Sequence, residues 1–216
     1  MALEEYDIRL VTYKTAMDIV VDKHYLHRKA PCSVAFGLFY GEDIKGVICY
    51  GTPSSASLRR GIAGEDNRFN VVELTRLWVD DSVPRNGESY LIGNTIKHCG
   101  KEIVVSYSEP QHGHIGIVYQ ASNFLYTGLS AKRTNWTVSG SNKHCQTLAD
   151  KYTSKEIREV YGDRFSLVDR PRKHRYVYIN AKGKRRKELL LSLNYGILPY
   201  PKSNLNISCI SNPNMV

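Results

Sequence analysis

Glu109 stands where an apolar run ends and a pair of histidines follows, and that conjunction is the chain's clearest offer of chemistry. Within Glu102–Gly128 the β-branched Ile103-Val104-Val105 suits a buried strand; Ser106, Tyr107, Ser108 and Glu109 then turn polar, and Pro110 stops the strand. His112 and His114 flank Gly113, after which Ile115, Ile117, Val118, Ala121 and Leu125 recur at helical spacing. A carboxylate so placed can take a proton, its pKa raised by burial, or can cap the helix that follows. With His24 and Glu109, the histidines His112 and His114 offer a metal set. His-x-His on a turn matches no established template, and contact with a phosphate or a base is the other use. A strand's C-terminal edge beside a helix start is where α/β folds bind ligands, and unpaired amides of a first helical turn suit an anion.

Other side chains could join that centre. Glu73 and Arg76 sit three apart in an apolar strand, Val71 to Val79, so simple alternation sends them to opposite faces, one toward the pocket and one to support it or reach a ligand. Ser106 and Tyr107 alternate, and only one of them can enter a cleft. Tyr119 falls one turn after Ile115 and serves the core or the site. Tyr25, beside His24, can stack on a base or pack under a sheet. Trp78 and Trp136 carry no assignment.

Charge adds a partner class. Thirty Lys+Arg against 21 Asp+Glu leave +9, and no acid interrupts the stretch from Arg170 to Lys187. Lys173, Arg175, Lys184, Arg185 and Arg186 lie in it, interleaved with Tyr176 and Tyr178, which fits a nucleic-acid surface or, more plainly, a solvated basic face. Arg59, Arg60 and Arg68, in a polar loop, are candidates to hold an opened strand. Five scattered cysteines without Cys-x-x-Cys spacing argue against a disulfide framework and for a reducing compartment. No apolar run is long enough for a membrane span, and acids stand where a signal peptide needs bases, so a cytosolic protein without a membrane partner is expected.

The elements that must position these residues follow from periodicity. Strands are expected over 6–13, 34–40, 47–50, 71–79, 124–126 and 175–179, and helices over 16–25, 89–98, 154–161 (with Ser154 as N-cap) and 184–193. Pro53 to Asp66 reads as a loop too polar for the core. One domain is expected over 1–202, with an insertion at about 134–170 and a disordered tail at 203–216.

That order resembles the GNAT-like acyltransferase fold: an α/β (α+β) architecture with a mixed, splayed sheet flanked by helices and a cofactor between two diverging strands. The resemblance implies coenzyme A, with acetyl-CoA or a relative as donor, held by an Arg/Gln-x-x-Gly-x-Gly/Ala loop. Here Arg85, Asn86, Gly87 and Ser89 would form that cradle, although Pro84 stands where Arg or Gln belongs.

A narrower resemblance rests on several blocks. Val104-Val105-Ser106-Tyr107 and Glu109-Pro110 are followed by Gly113-His114, Gly116, Tyr119-Gln120-Ala121, Phe124, Tyr126 and Gly128. His24-Tyr25, Val72-Glu73-Leu74-Thr75-Arg76, Lys173-His174-Arg175-Tyr176 and Pro199-Tyr200-Pro201-Lys202 add to them. Together, over most of 20–202, they resemble the phage Mom family of DNA adenine-modification proteins. That family more often has Asp at the position of Glu109. The resemblance implies transfer of a carbamoylmethyl group to the exocyclic amine of adenine, in the cytoplasm of the infected bacterial host, to evade restriction. It also implies an iron dependence. Glu109 would be the base, His24 would assist or ligate metal, and Arg76 would hold a carboxylate or phosphate. Glu73, Tyr25, Ser106 and Tyr119 complete the candidate site. The partner is double-stranded DNA with an extruded adenine, since a paired amine is out of a cleft's reach. A coenzyme A-dependent N-acetyltransferase of another amine, or a non-catalytic nucleic-acid-binding protein, is the alternative.

Overall fold

Side-chain alternation along the central strands decides how the helices are laid down. In the computed structural model, which describes residues 2–110, 113–141, 148–149 and 151–202, Val72, Leu74, Val104 and Tyr176 face one side of a sheet, and Val71, Ile103, Val105, Val177 and Ile179 the other. Both sides are apolar, so both must be covered. His112 and the expected tail 203–216 lie outside the described residues.

Seven strands form this sheet: β1 (Asp7–Val11), β2 (Val34–Tyr40), β3 (Asp43–Gly51), β4 (Val71–Val79), β5 (Ile103–Ser108), β6 (Leu125–Leu129) and β9 (His174–Ile179), in the order β1-β2-β3-β4-β5-β9-β6. Only β4 and β5 run parallel; the other pairs are antiparallel. This is the mixed α/β sheet that the GNAT-like resemblance implies. Helices α3 (Gly87–Thr95) and α4 (Ile117–Ala121) cover one face through Leu91, Ile92 and Tyr119. The other face is covered by α1 (Tyr13–Lys23), through Ala16, Met17 and Val20, and by α2 (Ala56–Ala63) and α6 (Gly183–Leu191), through Ile62 and Leu189. Burial of a side chain the size of Leu189 or Ile62 stabilises the fold by about 1.5–3 kcal/mol.

Several elements differ from the spacing-based expectation. The stretch from Pro53 to Asp66 contains α2: the Ser55 hydroxyl accepts from the Leu58 amide at 3.1 Å, and Gly64 ends the helix at φ 74°. Its Ile62 and Ala63 are core residues, although their neighbours are polar. Helix α1 starts a turn earlier than expected because Thr12 caps it, accepting from Thr15 at 3.1 Å. Helix α4 is only five residues long, since Gly113 and Gly116 hold positive φ before it and Leu125 belongs to β6.

Between β6 and β9 the chain builds a two-stranded ribbon, β7 (Arg133–Val138) with β8 (Phe165–Arg170), carrying α5 (Ser154–Tyr161). Thr153, not Ser154, caps α5, in a reciprocal capping box with Glu156. A small separate core of Val138, Leu148 and Ile157 supports the ribbon. No helix among the described residues is long and apolar enough to cross a membrane.

Candidate active site

Strands β4 and β5 pair only over Val71–Glu73 and Ile103–Val105, and beyond that they part. Ser106 pins the apex of the wedge: its hydroxyl donates to the Leu74 carbonyl at 3.1 Å, and it hydrogen-bonds Tyr119. It is fully buried there and borders none of the three clefts described below, so its place is behind the site. Tyr119, ring-packed at 5.4 Å on both Phe124 and Tyr176, does border the wedge; burial pushes its phenol up to about 12.

The opening strand carries a bulge. Cys49 pairs with Arg76 but Tyr50 with Leu74 and Gly51 with Glu73, so Thr75 is the extra residue. Alternation restarts after it, and Glu73 and Arg76 point to the same face, not to opposite ones. The Thr75 hydroxyl lies 2.9 Å from the Pro31 carbonyl and 3.2 Å from that of Cys49. Arg76 donates to the carbonyls of Arg28 (3.3 Å), Lys29 (3.4 Å) and Thr75 (2.6 Å). These bonds clamp the 28–31 segment over the strand.

Three clefts meet at this face. The wedge itself, about 640 Å³, is lined by His24, Tyr25, Arg76, Glu109, His114 and Tyr119 among others. A second, about 660 Å³, runs under the ribbon between Arg28, Lys29, Arg133 and Arg170. A third, about 350 Å³, lies against α2 and Tyr107. Glu73 and Lys173 border all three, and Arg76 and Glu109 border the two larger ones. Glu109 is buried and takes the Lys173 ammonium as ion-pair and hydrogen-bond partner. Burial raises the Glu73 carboxyl to about 6, and nearby Lys173 and Arg76 offset only part of that. Lys173, Arg28, Arg133 and Arg170 were not legible as cleft residues, because the ribbon that delivers the last two shows no clear periodicity.

His24 ends α1 and is buried; burial first and Arg76 second lower its pKa to about 4. Its Nδ1 accepts from the Leu26 amide at 3.1 Å, so the neutral ring carries its proton on Nε2. That tautomer suits a donor. Ligation through Nε2 would move the proton to Nδ1, facing the Leu26 N–H, and ligation through Nδ1 would displace that bond. Tyr25 stacks on His24 at 4.4 Å and meets His114 edge-on at 5.7 Å. Among the described residues no group of three or more His, Cys, Asp or Glu is arranged to hold a metal. Among the described residues, the set therefore does not fit iron; His112 lies outside them.

The four residues expected to cradle coenzyme A stand outside the three clefts. The Gly87 amide donates to Pro84 at 3.2 Å, and a Cβ on Gly87 would meet Val83 at 2.7 Å, so its small size serves packing. The Ser89 hydroxyl donates to the Asn86 carbonyl at 3.0 Å. Arg85, Asn86, Gly87 and Ser89 border none of the three clefts, whereas the acids Asp81 and Glu88 line the wedge.

The expected nucleic-acid residues divide. Lys173 is in the site. Arg175 is buried, donating to Thr127 Oγ1 at 2.9 Å and to its carbonyl at 2.6 Å, with its guanidinium 3.3 Å from the centre of the Tyr195 ring. Arg185 forks onto Glu102 at 2.7 Å, and Arg186 lies 3.4 Å from the Ile179 carbonyl. Arg60 sits 3.9 Å from Glu65, Arg68 pairs with Glu65, and Arg59 and Arg68 cover the Phe69 ring. Lys184 is exposed.

The Mom protein family model matches residues 5–202. This chain belongs to the Mom family. The Mom relative "Methylcarbamoylase mom" of Escherichia phage Mu is 31% identical over 209 residues, 92% of this chain and 85% of that protein. Solved structures similar to this Mom-family chain include an N-acetyltransferase from Staphylococcus aureus Mu50, 11% identical over 82% of this chain and 99% of that one, at a TM-score of 0.45. Another is the ribosomal-protein-S5-alanine acetyltransferase from Vibrio fischeri, 12% identical over 85% and 98%, at 0.48.

Proposed function

We propose that this chain is a phage DNA-modifying transferase that places a carbamoylmethyl-type group on the exocyclic amine of adenine, acting in the infected bacterial cell to protect phage DNA from restriction. Family membership and the activity for which the Mu relative is named supply the class. The observation that carries the site is the junction: Glu73, Arg76, Glu109 and Lys173 border both large clefts. A donor in the wedge and a base in the cationic cleft would meet there.

An adenine amine is a weak nucleophile, because its lone pair is delocalised into the ring, so a proton acceptor must stand beside it. Glu73 suits that role better than Glu109. A carboxyl with a pKa of about 6 is ionised above neutrality yet still basic enough to accept a proton in the transition state. Glu109 is held by Lys173, and the pair would fix the local field and orient the amine. The His24 Nε2–H, left as the ring's donor, would stabilise negative charge building on the electrophile. Arg76, already bonded to three carbonyls, would position and shield rather than move a proton. A paired adenine hides its amine, so the target nucleotide must leave the stack.

Mass analysis of nucleosides from DNA of cells expressing the chain tests the reading. A carbamoylmethyl-modified deoxyadenosine is expected with the native protein and not with Glu73→Gln; unmodified DNA in both overturns it. A fluorescent adenine analogue at the target should brighten on binding as it unstacks.

A further inference from the structure

Arg133 opens β7 and Arg170 closes β8, and the two are directly opposed across the ribbon. Like charges facing each other in an antiparallel pair oppose folding. Both side chains are exposed, and neither has a carboxylate partner among the described residues. Both border the cationic cleft and the smaller cleft beside it, with Glu73 and Lys173 on the same walls. Arg28 and Lys29 also line the larger one. The cleft's volume suits one nucleotide rather than a duplex.

The geometry points to the Arg133–Arg170 pair as the clamp for the phosphate of the extruded deoxynucleotide, with the ribbon as the element that holds the opened strand. This rests on the reading of the chain as a DNA-modifying enzyme. Two guanidiniums a strand spacing apart can fork onto one phosphate from both sides, and that anion removes the repulsion that the free protein carries. A surface that merely needed solubility would place acids across from them.

Binding of the full chain to a duplex with one bulged adenine, and to its fully paired counterpart, separates the possibilities. The wild type should prefer the bulged duplex. Arg133→Ala and Arg170→Ala should each lower affinity for it about tenfold, reduce the salt slope by about 1 and erase the preference, because a charge-assisted phosphate contact is lost. Melting temperatures should stay level or rise as repulsion is relieved. Lys184→Ala, away from the cleft, should weaken both duplexes equally. Retained preference in the ribbon variants, no preference in the wild type, or a lower melting temperature in either variant each overturns the clamp. The nucleoside assay judges the modifying activity separately, so either proposal can fail while the other stands.

Discussion

Glu73 and Arg76 lie three residues apart on one strand and still share a face, because the bulge at Thr75 absorbs the odd residue. The hydroxyl of that residue reaches two carbonyls from other segments, Pro31 and Cys49, so the bulge is held from outside the strand. A carboxyl with a raised pKa and a guanidinium thereby meet where β4 leaves β5.

Glu73→Gln keeps the shape and removes the base, so modification should fall by about 10²–10⁴-fold. The sign of its pH linkage is fixed by the raised pKa. The folded state holds the proton more tightly than the unfolded one, so stability declines as pH rises from about 4.5 to about 6 and then levels. The shift corresponds to about 2 kcal/mol. Melting curves across that range should lose the decline in Glu73→Gln, which should be no less stable than the native chain above neutrality.

Thr75→Val should cost about 1–3 kcal/mol through the carbonyls it deserts and reduce modification, whereas Thr75→Ser, which keeps the hydroxyl, should recover both. Equal losses in the two variants would show that the methyl group, not the hydroxyl, sets the bulge.

Glu109 and Lys173 are expected to couple. Glu109→Gln or Lys173→Met alone leaves a partly buried charge without its counterion and should destabilise more than the double variant does. Activity should be lost in all three. Denaturant melts of the four proteins give the coupling energy directly; additivity would mean that the pair is incidental.

His24 should remain neutral well below the usual imidazole range, with its proton on Nε2. Nitrogen NMR reads both properties. Because the unfolded chain takes up a proton near pH 6.5 that folded His24 refuses until about 4, the ring should cost stability as pH falls through that window. His24→Gln should remove this loss.

Lys184→Ala should weaken DNA binding across sequences and lower the salt slope by about 1. Arg185→Ala should leave the slope unchanged and lower the melting temperature, since its guanidinium already holds Glu102.

Much of the sheet was legible because β-branched and aromatic runs such as Ile103-Val104-Val105 and Tyr176-Val177-Tyr178 are a local signal. Helix α2 was hidden by the polar Ser-Ser-Ala-Ser start, although Ser55 as cap with Leu58 and Ile62 one turn apart was there to be read. The shared face of Glu73 and Arg76 was not, since the bonds that force it come from residues 26 and 44 positions away. Arg175 and Arg185 looked alike in a basic run. Only the tertiary partners Thr127 and Glu102 distinguish them from Lys184.

The ribbon enters and leaves the sheet at one point. The Ser130 amide donates to the Lys173 carbonyl at 2.8 Å, the Lys173 amide to the Ser130 hydroxyl at 2.9 Å, and Arg172 to the Ser130 carbonyl at 2.6 Å. A loop fastened at its neck can be lengthened, trimmed or exchanged while the strands on either side keep their register. On the proposed reading of the ribbon, descendants of such a chain can change how an opened strand is held without rebuilding the residues at the junction of the clefts. Grip on the strand and chemistry of transfer are then free to evolve at different speeds.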